Sequence, residues 1–252
     1  MKPILVKSMI GLLVVLGAAA CMGANTENAA TINQTEDYGV FLSLKGREAV
    51  EASEGYDIAV IDAQNLSADE IAQMQARGQT VYSYLNVGSL ETFRPYYEEY
   101  ESLTLKPYEN WENEFWVDNV DVYGQFPTEE TCAGVEYVLK SLISHGRPVV
   151  INGGDQFVKA YLQQNQQVDD ILTGVNQETV FSSINFSDRS LGTQKETTHN
   201  YYVDYLNDMD AAGVDVFLLE YTTNSELAAE INEFTAQKGW RYFISDSIEL
   251  DG

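Results

Sequence analysis

Basic residues are scarce in this 252-residue chain: 14 Lys and Arg stand against 39 Asp and Glu, a formal charge of −25. A surface of that sign repels polyanions, which excludes nucleic acid and anionic lipid surfaces as electrostatic partners. A neutral or cationic polymer meets no such barrier. Histidine is scarcer still. His145 and His199 are the only two and lie far apart, so a histidine-rich metal centre is not expected, and neither a metal nor a cofactor is called for. Long hydrophobic runs are also missing, since the apolar stretch from Met9 to Leu16 is too short to cross a bilayer as a helix.

That stretch reads instead as the core of an export signal over residues 1–20, because Lys2 and Lys7 precede it and Gly17, Ala18, Ala19 and Ala20 follow. Cys21 comes directly after the small residues and resembles the acylated cysteine of a bacterial lipoprotein, although Ala18 stands where Leu is usual. The expected fate is lipidation at Cys21 on the outer face of a bacterial membrane, with simple cleavage and secretion as the alternative. Removing residues 1–20 leaves twelve basic against 39 acidic residues, a charge of −27. Cys132 would then be the only other cysteine, which rules out an internal disulfide. Its place in the pattern Cys132, Val135, Leu139, Leu142 marks it as a small core residue of a helix. Residues 21–36, rich in Asn, Thr and Ala, suit a flexible tether. The folded domain is expected over residues 37–252, a length and a 44% hydrophobic content that suit one barrel-sized core.

Eight short runs rich in β-branched and aromatic residues follow: Tyr38 to Leu44, Tyr56 to Asp62, Thr80 to Val87, Phe115 to Asp118, Val149 to Asn152, Ile171 to Asn176, Val214 to Glu220 and Arg241 to Ser245. Most are continuous rather than alternating, the pattern of parallel strands buried on both faces. Helix punctuation separates them. Ser67-Ala-Asp-Glu70 is a capping box opening a helix that Gly78 closes. Thr128 to Ser144, Thr198 to Ala212 and Asn224 to Lys238 show helical spacing and stop at Gly146, Gly213 and Gly239. Alternation of this count predicts an α/β chain folded as a (β/α)8 TIM-type barrel, with a doubly wound open sheet as the alternative.

Function in such a barrel sits at the carboxyl ends of the strands. There the sequence places Asp62, Asn86 with Glu91 and Arg94, then Asp118, Asn119 and Asp121, Asn152 and Asp155, Asn176 and Glu178, and Glu220. Singly, each acid is as well explained by a helix N-cap or a loop hydrogen bond. As a set they form a ring that can bind sugar hydroxyls and amines, and two of them could split a glycosidic bond. Tyr82, Tyr84, Tyr96, Tyr97, Tyr108, Trp111, Trp116 and Tyr123 supply aromatic faces for sugar rings, or pack the outer layer.

The runs YDIAVIDAQ (from Tyr56), VYSYLNVGSLETFRPYY (from Val81), FWVDNVDVYGQFPTEE (from Phe115), VVINGGD (from Val149) and GVNQETVFS (from Gly174) resemble glycoside hydrolase family 114, the endo-α-1,4-polygalactosaminidases. The resemblance runs from about Tyr38 to Ser247. It implies a (β/α)8 barrel without a required metal that hydrolyses α-1,4-linked galactosamine polymers with retention. It also implies catalytic acids after the fourth and sixth strands, here Asp118 as nucleophile and Glu178 as acid/base, or the reverse. Two departures stand out. Asn110-Trp111 runs almost directly into Phe115-Trp116-Val117-Asp118, so the crossover between strands three and four is shortened by about one helix, and Ser89 stands where many members carry an acid. The expectation is a monomeric endo-glycosidase whose groove includes Asp62, Tyr84, Asn86, Glu91, Arg94, Asn119, Asp121, Tyr123, Asn152, Asp155, Asn176 and Glu220. The alternative is an impaired barrel that binds amino-sugar polysaccharide without cleaving it.

Overall fold

The computed structural model describes residues 12–15, 37–86, 89–103, 106–107, 114–116 and 122–251. In chain order the elements are β1 (Leu12–Val15), β2 (Tyr38–Phe41), α1 (Gly46–Ala52), β3 (Ile58–Ile61), α2 (Ala68–Ala76) and β4 (Thr80–Leu85), then β5 (Ser89–Glu91), the single turn α3 (Tyr97–Tyr100), β6 (Lys106–Pro107) and β7 (Glu114–Trp116). The rest comprises α4 (Val122–Gln125), α5 (Glu129–Ser144), β8 (Val149–Asn152), α6 (Asp155–Asn165), β9 (Gly174–Glu178), the hairpin β10 (Ser182–Asn185) and β11 (Ser190–Thr193), α7 (Glu196–Ala211), β12 (Asp215–Tyr221), α8 (Ser225–Lys238) and β13 (Arg241–Ser245).

Local chemistry accounts for the helix ends. Ser67 and Glu70 satisfy each other's backbone amides in a complete capping box at the start of α2. Thr128 caps α5 through the Thr131 amide, and Asn224 caps α8 through the amides of Glu226 and Leu227. At the other end of α8, Gly239 takes the left-handed conformation that other residues adopt at a steric cost.

The parallel strands fall into two runs, β2-β3-β4 and β8-β9-β12-β13. Between them lies β1, antiparallel to both β4 and β8. β13 comes to lie against β2, but the ladder order ends at these two strands. This is an α/β fold of parallel strands flanked by helices, and its ladder is not the continuous ring of eight parallel strands that the sequence pattern predicts. The difference is located at the predicted fourth strand. Glu114–Trp116 pairs antiparallel with β5 and β6 in a separate three-stranded sheet. A parallel return needs a crossover of a dozen or more residues, usually a helix. Among the described residues between β4 and β7 the longest α-helical segment is the four-residue α3, so the segment folds back on itself instead.

Side chains alternate between two layers, as strand geometry requires. The inner layer gathers Tyr38, Val40, Ile58, Val60, Tyr82, Tyr84, Val150, Phe217, Leu219, Tyr221 and Phe243, with Ile184 and Leu191 of the hairpin packed against it. Phe217 lies at its centre, its ring 5.0 Å from that of Tyr38 and 6.3 Å from that of Tyr82. The outer layer joins the strands to the helices through Ile151, Val175, Val216 and Leu218 with Phe157, Leu206 and Ile231. Each large apolar side chain buried in these layers contributes on the order of 1.5–3 kcal/mol.

Candidate functional site

Glu178 ends β9, and strand parity puts it on the same face as Asn176, whose amide meets the hydroxyl of the inner-layer Tyr38. Three side chains form a directed chain toward it. Tyr38 donates to Asn176 Oδ1 (3.4 Å), Asn176 Nδ2 to Asn152 Oδ1 (2.6 Å) and Asn152 Nδ2 to Glu178 Oε1 (2.6 Å). The Tyr221 hydroxyl donates to Glu178 Oε2 (2.9 Å). Burial, and next the charge of Glu178, push the Tyr38 and Tyr221 phenols above their ordinary range. Both therefore remain neutral donors at any working pH.

The two oxygens of Glu178 differ in consequence. Oε1 faces an amide N–H that can only donate, so it is held as an acceptor. Oε2 faces a hydroxyl, which can donate to a carboxylate or accept from a carboxylic acid, so this oxygen can take up and release a proton without a change of partner. That is the property a general acid/base needs.

Asn152 and Asn176, predicted for the groove, are thus brought to Glu178, and both are buried. Tyr84 lies in the inner layer and is 8% exposed, with Asn86 two residues further along the same strand direction. Asp62, Glu91 and Arg94 come together but occupy one another. Arg94 Nη1 reaches Asp62 Oδ2 at 3.2 Å and Arg94 Nε binds Glu91 Oε2, all three being buried. Asp62 Oδ1 also accepts from the Gln64 amide at 3.0 Å, capping the 3-10 turn Ala63–Asn65. This cluster therefore anchors the loop after β4 and turns away from the role of free sugar ligands expected for its acids.

Other predicted residues depart further. Glu220 is fully buried, because it follows the outward parity of Val216 and Leu218 while Leu219 and Tyr221 point inward. Its Oε1 accepts from the amides of Val180 (2.9 Å) and Phe181 (3.1 Å) and its Oε2 from the amide of Ser182 (2.8 Å), so it does not line a groove. Tyr123 packs against the outer core, its ring 6.0 Å from Phe157. Asp155 begins α6 and accepts from the Tyr201 hydroxyl, beside Lys159, whose Nζ sits 4.5 Å from the Tyr201 ring centroid. Asp118, Asn119 and Asp121, like Cys21, lie outside the described residues. Cys132 is a free thiol packed partly buried against the outer core, with burial and then Glu136 raising its pKa.

Tyr38 and Tyr221 contribute to the site without having been expected there. Counting alternate residues back from Tyr221 through Leu219 and Phe217 is the signal that identifies the inward face. Among the described residues no cluster of three or more His, Cys, Asp or Glu is arranged to hold a metal ion.

The chain is similar in structure to the glycoside hydrolase domain of PelA from Pseudomonas aeruginosa, with a TM-score of 0.65 at 14% identity over 86% of this chain and 96% of that one. A single-substitution variant of the same domain aligns with a TM-score of 0.61, 14% identity and coverage of 86% and 95%. Aspergillus fumigatus Ega3 in complex with galactosamine aligns at a TM-score of 0.37, with 16% identity over 88% of this chain and 81% of that one. No curated protein sequence matches the chain. Residues 20–125 match the model of Glycoside-hydrolase family GH114.

Proposed function

We propose that this chain is an endo-acting glycoside hydrolase that cleaves α-1,4-linked galactosamine-containing polysaccharide with retention. Asp118 is the nucleophile and Glu178 the acid/base. The family match covers residues 20–125 and so includes Asp118 but stops short of Glu178. The observation that carries the role of Glu178 is two of its hydrogen bonds, an obligate donor on Oε1 and a reversible hydroxyl partner on Oε2. In the first step Glu178 gives its Oε2 proton to the departing glycosidic oxygen while the Asp118 carboxylate attacks the anomeric carbon. Water then displaces Asp118 from that carbon and loses its proton to Glu178, restoring both groups. The excess of acidic over basic residues favours a cationic polymer as substrate. Export, lipidation at Cys21 and action as a monomer outside a bacterial membrane complete the reading; processing before Cys21 removes β1 from between β4 and β8, so on this reading the mature protein acts without that strand.

Incubation of the protein with α-1,4-galactosamine polymer tests it. Short oligosaccharides whose first-formed anomer is α are expected, together with binding that weakens as salt rises. A second reading, a barrel that holds the polymer without cutting it, is favoured by one observation: Glu114–Trp116 lies in the side sheet rather than among the parallel strands. Retention of polymer with no release of oligosaccharides decides for that reading.

A further inference from the structure

We infer that Glu220 is a positioning residue which, from the outer side of the sheet, holds the turn after Glu178 and the strand end bearing Tyr221, and so aims the acid/base. This rests on the hydrolytic role proposed for Glu178.

Three observations converge on it. The chain bends at Val180 and Phe181 just after Glu178, and Thr179 takes a positive φ of 56°, a conformation that costs energy for a β-branched residue and persists only where its surroundings impose it. The next three residues, Val180, Phe181 and Ser182, all point their backbone N–H groups at the one Glu220 carboxylate. The Ser182 hydroxyl donates to Glu220 Oε2 and accepts the Tyr221 amide at 2.9 Å, joining the turn to the strand that carries the phenol on Glu178.

The arrangement has a clear division of labour. Glu220 and Tyr221 are consecutive in β12 and point to opposite faces. One holds the backbone of the Glu178 turn and the other holds the Glu178 carboxylate. Around them, the Thr179 amide donates to the Leu219 carbonyl and Gln194 Nε2 to the Thr179 carbonyl, so the turn is also tied to the strand below and to the segment after β11. Burial pushes the Glu220 carboxyl up, and the Ser182 hydroxyl and the three amides offset only part of that rise. A carboxylate accepts all of these donors at once. A carboxamide cannot, because its NH2 group meets N–H groups that also donate.

The test compares wild type, Glu220→Gln, Ser182→Ala and Glu178→Gln in the full chain. Hydrogen exchange at the Val180, Phe181 and Ser182 amides reads the anchoring independently of activity. It should accelerate in Glu220→Gln, and less in Ser182→Ala, while amides of β2 and β3 keep their wild-type rates. On galactosamine polymer, Glu220→Gln should lower kcat by about 10- to 100-fold, the scale of a small displacement of a reacting group, with KM within about twofold of wild type. Unchanged exchange at the three amides overturns the inference, as does a loss of rate with KM rising in step. If Glu178→Gln hydrolyses as fast as wild type, the assignment of Glu178 fails instead, and the exchange data still decide whether Glu220 anchors the turn.

Discussion

Replacing Tyr221 by Phe removes a single oxygen from the site. The phenol is fully buried, and its hydroxyl donates to Glu178 Oε2 at 2.9 Å. A hydrogen bond to a charged group is worth about 1.5–3 kcal/mol net. In the proposed reaction Glu178 passes from carboxylic acid toward carboxylate as it gives up its proton, and the Tyr221 hydroxyl bonds the developing charge more strongly than the neutral acid, so most of that energy should be lost in the transition state. At about 1.4 kcal/mol per tenfold, kcat should fall roughly 10- to 100-fold. The ring remains and fills the same inner layer with Phe217 and Leu219, so no cavity is opened, and loss of the hydrogen bond alone should lower the thermal midpoint by roughly 3–12 °C. The assay is the rate of reducing-end release from galactosamine polymer, with a melting curve alongside. A Tyr221→Phe protein with wild-type kcat would refute the reasoning, because it would show that the Oε2 partner has no part in proton transfer.

Three further outcomes follow from the packing and charges. Gly39→Ala should destabilise the fold by about 1–3 kcal/mol in denaturant titration, the usual cost of overpacking. An added Cβ there would stand 2.7 Å from the buried Phe41 ring and 2.9 Å from Tyr56. Arg94→Met should cost about 3–5 kcal/mol in denaturant titration by leaving the buried Asp62 and Glu91 carboxylates without its charge. Although burial alone would raise it, hydrogen bonds from Tyr161 and Lys140 hold the Asp170 carboxyl below its ordinary range. Its contribution to stability is therefore complete above the unfolded value of about 3.9 and lost as pH falls through the lower folded value. The difference in melting temperature between wild type and Asp170→Asn should be full at neutral pH and vanish in strong acid.

Most of the fold was legible because its signals are local. Strands buried on both faces need continuous apolar runs, and Val149–Asn152 and Arg241–Ser245 form as the pattern predicts. The capping box at Ser67 and the glycine stop at Gly239 act within a single helical turn. What a window of sequence does not hold is which face a strand end presents and where a strand finds its partner. Glu220 and Glu178 both stand toward the carboxyl ends of parallel strands, yet one side chain turns outward and the other inward. Their positions relative to Tyr221 and Asn176 settle this through strand parity. Phe115-Trp116 has the composition of a barrel strand, but a strand's partner is set by how the preceding chain crosses over, and Glu114–Trp116 pairs antiparallel with β5 and β6 instead. The β10–β11 hairpin went unforeseen. Its turn is stabilised by side chains, with Asn185 accepting from Ser187 and Asp188 from Ser190, rather than by a glycine pair.

The account turns on Glu178 as the group that passes a proton to and from the scissile bond. Its most direct test is the turnover of galactosamine polymer by Glu178→Gln beside wild type at equal stability. The expected result is a loss of about 10²–10⁴ in kcat, the range of general acid–base catalysis, with polymer binding retained. Hydrolysis by Glu178→Gln at the wild-type rate would contradict it.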